Sequence, residues 1–237
     1  MEPVVESVVR QKWWPALRRN PNASLLAIQL LSILIYPFLE GSGSHFGRSM
    51  FSLLGLLVLV MAIRAVNATP MFTWVGFLLL APCVVLTVVD GVLGWVQPWH
   101  VWSDVFHMLF YAYTTISLIV YMFRDTHVTS DELFAVGACF TVAVWTFAYA
   151  FSIIQYLVPG SFVAASPGET RGWFELLFLS CTTMTSTGLS DVVPVRPHAR
   201  AVVMVEQIAG MLYIAMVVAR LVAMGLRRHE SFGTPAH

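Results

Sequence analysis

Six long apolar stretches divide the chain, at residues 24–39, 50–66, 71–95, 102–123, 133–158 and 198–226. Each is near the length of about 20 residues that an α-helix needs to cross the hydrocarbon core of a bilayer. The pattern predicts an all-α membrane protein with six transmembrane helices. Polar breaks at Glu40-Gly41-Ser42-Gly43-Ser44, Asn67-Ala68-Thr69-Pro70, Gln97-Pro98 and Asp125 to Asp131 read as turns or loops between them. The connection between the fifth and sixth stretches is longer. From Pro159 to Asp191 it holds a Gly/Ser/Pro linker, an apolar patch at Trp173 to Thr183 that predicts a short helix, and then a run of hydroxyl residues around Gly188. That run is too polar for a lipid-facing helix. Non-helical backbone at membrane depth is tolerated only where protein buries it or where it lines a watery path. The pattern therefore predicts a re-entrant pore helix and a filter-like return segment between helices five and six.

Composition agrees with a membrane setting: of 237 residues, 58% are hydrophobic and 11% charged, against roughly 25% charged in a soluble domain. Thirteen basic and thirteen acidic residues cancel, so no global field points to nucleic acid. Cys83, Cys139 and Cys181 lie in apolar or pore-like stretches without metal-ligand spacing, and read as packing residues. The distribution of cations is more telling than their sum. With the N-terminus inside, Arg10, Lys12, Arg18, Arg19, Arg64, Arg124, Arg220, Arg227 and Arg228 fall on the cytoplasmic side, and only Arg48, Arg171, Arg196 and Arg200 fall outside. This asymmetry predicts cytoplasmic N- and C-termini, provided the pore segment re-enters and does not cross.

Residues 1–23 then form a cytoplasmic interfacial N-terminus, with Trp13 and Trp14 at the headgroups and the cations toward anionic membrane lipid. They show no signal-peptide cleavage pattern. Residues 24–123 form a four-helix domain, 124–132 a cytoplasmic linker, 133–228 the pore domain and 229–237 a short cytoplasmic tail. A voltage sensor would need several arginines at every third position of the fourth span. Residues 102–123 contain none, and Arg124 stands only at the inner end. Weak or absent voltage dependence is the expectation.

The run Thr182-Thr183-Met184-Thr185-Ser186-Thr187-Gly188-Leu189-Ser190-Asp191-Val192-Val193-Pro194 resembles the potassium-channel signature, Thr-x-x-Thr-Thr-Val-Gly-Tyr-Gly-Asp followed shortly by Pro. Phe178, Leu179 and Ser180 stand where that family's pore helix carries aromatics and small residues. Arg200, Glu206, Gly210, Tyr213 and Ala219-Arg220-Leu221 are similar to the inner helix of bacterial six-span members. The resemblance covers residues 133–226 well and the first four spans in outline. It implies a homotetramer in the bacterial inner membrane, with four segments meeting on one axis. Thr185, Ser186, Thr187, Gly188, Leu189, Ser190 and Asp191 would form the conduction filter, holding K+ or Na+ at Ser186, Thr187, Gly188 and Leu189. Backbone carbonyls would replace the ion's hydration shell. Gly210 would be the gating hinge, and Thr182, Thr183 and Glu206 would support the filter. The permeant K+ or other monovalent cation is the only small species implied, with no cofactor.

The chain departs from the family pattern at two positions. Leu189 replaces the usual tyrosine, so a phenolic hydroxyl that would tie the filter to its surroundings is missing. Ser190 replaces a glycine whose left-handed backbone costs a residue with a Cβ roughly 1 kcal/mol or more. Either the outer filter takes another shape or strain is held there. The inner sites framed by Ser186, Thr187 and Gly188 are expected to survive and the outer ones to widen.

Among ionisable groups inside the spans, Glu206 reads as a brace accepting hydrogen bonds from Thr182 or Thr183, with a proton-sensing gate as the alternative. Asp90, Asp104 and His107 read as a solvated interfacial cluster or an outer cation or pH site. Glu175 reads as a complement to the pore-helix dipole. Function classes then narrow to a potassium-channel-like cation channel, a non-selective cation channel, or a non-conducting structural or regulatory member of the same fold. An enzyme is not expected, since Ser190 has no histidine base at a credible level. A secondary transporter would predict paired broken helices.

Overall fold

The structure, a computed structural model, describes residues 20–40, 55–65, 73–93, 99–124, 130–164 and 170–233. The expected interfacial segment with Arg10, Lys12, Trp13, Trp14, Arg18 and Arg19, the breaks near Gly41, Asn67 and Pro98, Arg48, the last four residues of the tail, and the side chains of Asp90, Arg124, Arg227 and Arg228 lie outside the described residues. Within them the chain is mostly helical: α1 Pro21–Glu40, α2 Gly55–Ala65, α3 Thr73–Leu93, α4 Trp99–Arg124, α5 Ser130–Leu157, α6 Trp173–Met184 and α7 Pro197–Gly233. Two short strands, β1 Phe162–Val163 and β2 Val193–Pro194, pair antiparallel with Phe162 opposite Pro194.

Of the six expected spans, four coincide with helices long and apolar enough to cross a membrane: Pro21–Phe38, Trp99–Phe123, Asp131–Leu157 and Pro197–Ala223. The other two overlap the shorter apolar helices α2 and α3. Local chemistry accounts for the helix starts. Pro21 and Pro197 occupy first-turn positions, where the missing N–H costs no hydrogen bond. Asp131 and Glu132 stand in the first turn of α5, against its partial positive charge. Hydroxyls within these apolar helices bond one turn back, as Thr87 does to the Cys83 carbonyl and Thr114 to that of Phe110.

Helix α5 is the mast of the fold. Antiparallel to it, α4 is fixed near one end by Ser152 Oγ donating to Asp104 Oδ2 at 2.6 Å. Tyr121 fixes the other end, donating to Asp131 Oδ2 at 3.3 Å. Helix α1 runs parallel to α5, from an Asn22–Asp131 hydrogen bond of 2.6 Å to a contact of Tyr36 with Trp173 and Phe174 of α6. Rings of Tyr36, Tyr111, Trp145, Tyr149 and Trp173 interlock with centroids 5.3–5.9 Å apart, binding α1, α4, α5 and α6 at one level. The tilted and edge-on contacts among them suit the ring quadrupoles.

Asp104 and His107 differ from the solvated cluster expected at the interface: both are buried. Asp104 accepts from Ser152 and lies 3.7 Å from His100 Nε2. His107 Nδ1 lies 2.7 Å from the Ser103 carbonyl, and its ring stacks on Tyr149. The reason is helical register, since α3 and α5 both close over the face of α4 that carries these groups. No group of His, Cys, Asp or Glu suited to a metal ion occurs among the described residues.

Candidate functional site: the end of helix α6

Helix α6 is framed at its start by its own sequence. Glu175 Oε2 accepts the Gly172 N–H at 2.6 Å, and Arg171 pairs with Glu175 at 3.6 Å. Glu175 thus stands in the first turn, as dipole complementarity predicts. Gln155 of α5 holds the backbone of Arg171 on both sides, donating to its carbonyl at 3.0 Å and accepting its N–H at 2.8 Å.

The other end of α6 carries the hydroxyl-rich run. Thr185 caps the helix, and Ser186 turns the backbone left-handed with φ of 58°. The Ser186 N–H bonds to the Thr183 carbonyl and the Thr187 N–H to that of Thr182, both at 2.9 Å. This pair of bonds is a Schellman motif, with a serine in the position that usually takes glycine. Gly188, at φ of 65°, adds its own N–H to the Thr182 carbonyl at 3.1 Å. Thr185 and Thr187 bring their hydroxyls within 3.0 Å of each other, over the helix end. Thr185 Oγ1 also donates to the Cys181 carbonyl at 2.8 Å. The last turn of a helix carries partial negative charge, of order half an elementary charge. Oxygen-rich and exposed on one side, this end attracts cations.

Beyond Gly188 the chain behaves differently. Leu189 is 78% exposed. Among the described non-glycine residues only Ser186 has a positive φ, so the strain expected as one option at Ser190 sits instead four residues earlier. Ser190 Oγ accepts the Val192 N–H at 3.1 Å, making a local turn. Asp191 is exposed, and Thr182 Oγ1 donates to the Leu179 carbonyl at 3.0 Å. The segment then returns through β2 to α7, pinned by Val195 N–H to the Ser161 carbonyl and by Arg200 Nε to that of Pro194.

Helix α7 meets α5 and α6 along one stripe. Ala199, Val203, Glu206, Gly210 and Tyr213 are buried at alternating spacings of four and three, the seam of two helices packed side by side. Gly210 lies against the Met184 backbone carbonyl so closely that a Cβ would collide with it. It sits inside an unbroken helix. Tyr213 donates to the Val136 carbonyl of α5 at 2.6 Å. Further along, Arg220 pairs with Glu132 at 3.4 Å and covers the Phe123 ring. Met204, Met211 and Met216 lie on the exposed side of α7.

Glu206 does act as a bridge, but its partner is Ser180 and not Thr182 or Thr183. The Ser180 hydroxyl contacts Glu206 Oε1 and also lies 2.8 Å from the Val144 carbonyl, joining α5, α6 and α7. Thr182 Oγ1 donates instead to the Leu179 carbonyl of its own helix. Ser180 carried no signal in the sequence beyond being small at a pore-helix position. Only the crossing of α6 and α7 brings it to Glu206.

Residues 138–227 match the family model described as an ion channel. The match takes in most of α5, all of α6, the hydroxyl-rich run and α7 as far as its last turns. No curated protein and no solved structure matches the chain. The family match supports an ion channel, and together with the long apolar helices it supports a membrane protein.

Proposed function

We propose that the chain is one subunit of a homotetrameric, potassium-channel-like channel that passes monovalent cations passively. Its weakly voltage-dependent pathway would run along the end of α6. The observation that carries this is the gathering of the Thr185 and Thr187 hydroxyls at the C-terminal end of a 12-residue helix, within the stretch that matches an ion channel. One side of Thr185 to Leu189 is open in the single chain. Polar backbone at membrane depth requires burial in protein or a watery lining on that side, and four such edges around an axis would supply the lining. Potassium is the first expected permeant ion. Purified protein in liposomes should carry a K+ current that scales with the number of inserted assemblies. Absence of flux at every voltage and pH, from protein shown to be tetrameric, would instead favour a non-conducting member of the fold.

The shape of Leu189 to Val192 favours a second reading, poor discrimination between K+ and Na+. Ser190 does not take the left-handed backbone that the potassium-channel pattern assigns to its position, and its hydroxyl is used in a local turn. Fewer carbonyl sites in a row leave less room to discriminate. Reversal potentials in mixed K+ and Na+ separate the two: values tracking K+ alone exclude the non-selective reading.

A further inference from the structure

We infer that the Glu206 carboxyl carries its own proton, donates it to Ser180, and as a neutral group positions the end of α6 against α7. Two observations carry this, and they are independent. The first is a count of hydrogens. Ser180 Oγ lies within hydrogen-bond distance of two oxygens, the Val144 carbonyl and Glu206 Oε1, yet a hydroxyl has one hydrogen to give. A backbone carbonyl can only accept, so the Ser180 hydrogen goes to Val144. The hydrogen between Ser180 and Glu206 must then come from the carboxyl. The second is the other carboxyl oxygen. Oε2 is buried and has no hydrogen-bond partner among the described residues. Glu206 is wholly inaccessible and takes part in no ion pair among them. A carboxylate would leave half its charge on that bare oxygen, whereas a carboxylic acid leaves only a carbonyl-like acceptor.

The groups facing Glu206 are consistent with a neutral acid. Among the described residues, α6 presents Ser180 and the titratable Cys181, and α5 presents the Val144 carbonyl. The placement gives the pair its role. Glu206 stands one turn before Gly210, which lies on the Met184 carbonyl. The same crossing therefore holds both the middle and the end of α6. A neutral acid does this without placing a fixed negative charge behind the hydroxyl-rich run, so the field along that run is set by its own oxygens.

The part of this inference that concerns conduction rests on the proposed channel function, but the proton itself can be read without any current. Infrared spectra of the full chain in lipid should show a protonated-carboxyl C=O band that disappears in Glu206→Gln. In Ser180→Ala the band should move to higher frequency, because the acid loses its acceptor. If Glu206→Gln instead removes intensity from the carboxylate region, the inference is overturned. If that variant does not assemble, Ser180→Ala alone decides, and an unmoved carbonyl band counts against the pair. In flux assays Glu206→Gln, which still offers an N–H to Ser180, should stay within about threefold of the wild type, whereas Glu206→Ala should fall roughly tenfold, as expected for a lost buried hydrogen bond. Equal losses in both variants would overturn the positioning role. No flux from any of these proteins, with the band behaving as expected, would sink the channel reading and leave the proton in place.

Discussion

The two halves of the stretch from Thr182 to Pro194 are built on different principles. The inner half, to Gly188, is the cap of a helix: four backbone N–H groups and two threonine hydroxyls fold back onto α6, and α7 closes over its last residue at Gly210. The outer half has a hydroxyl turn at Ser190 and a two-stranded tie to the linker, and presents Leu189 to its surroundings. Here the backbone hydrogen bonding is inherited from the helix and ends where the helix cap ends.

The largest way to break this contrast is at Gly210. In Gly210→Ala the new methyl meets a backbone carbonyl that cannot swing aside, so α6 and α7 must separate. The expected cost is about 3 kcal/mol, at the upper end for overpacking, read as a lower unfolding midpoint in detergent together with lost flux. A fully stable variant would show that α7 can shift along the seam. Next is Ser186. A left-handed serine costs roughly 1 kcal/mol relative to glycine, so Ser186→Gly should stabilise the inner half by about that amount in chemical unfolding. Destabilisation would mean that the hydroxyl contributes more than the backbone strain costs.

A smaller effect is expected at Thr187. Thr187→Val keeps the branched shape but removes the contacts of Oγ1 with Thr185 and with the Thr182 carbonyl, at 3.0 and 3.3 Å. About 0.5–1 kcal/mol should be lost, and a loss several times larger would reveal a partner on a neighbouring chain. The outer half should give the smallest change in stability. Leu189→Tyr combined with Ser190→Gly is expected to alter unfolding by within about 0.5 kcal/mol. Its effect should appear in reversal potentials instead, as a shift toward K+. An unchanged permeability ratio would mean that the outer half plays no part in discrimination.

Much of this was legible along the chain because hydrophobic length and capping chemistry are local. The first stretch, expected at 24–39, is α1 Pro21–Glu40, and the patch Trp173 to Thr183 is α6 to within one residue. The sixth, expected at 198–226, runs on to Gly233 and carries Gly225 inside it, where the apolar run stops. What stayed hidden depends on crossings between helices. Ser180 meets Glu206 only because α6 leans across α7, and Asp104 is buried because Ser152 lies a full helix away in sequence yet beside it in space. Of the two options at Ser190, another shape or strain, the left-handed backbone lies elsewhere, for a physical reason. The potassium-channel pattern has a glycine where Ser190 stands, whereas this helix C-terminus places its left-handed residue just past the cap, at Ser186.

The seam on α7 has a mechanical side. Its attachments form a single line of unlike fastenings: the acid of Glu206, the bare backbone at Gly210, the phenol of Tyr213 and the cation of Arg220. Twisting the helix about its long axis strains all four at once. Pulling it sideways from the Arg220 end loads them one after another, as a zip fastener does, and reaches α6 only after both attachments to α5. Small outward displacements of that end therefore leave the hydroxyl-rich run undisturbed, while a full rotation of α7 cannot.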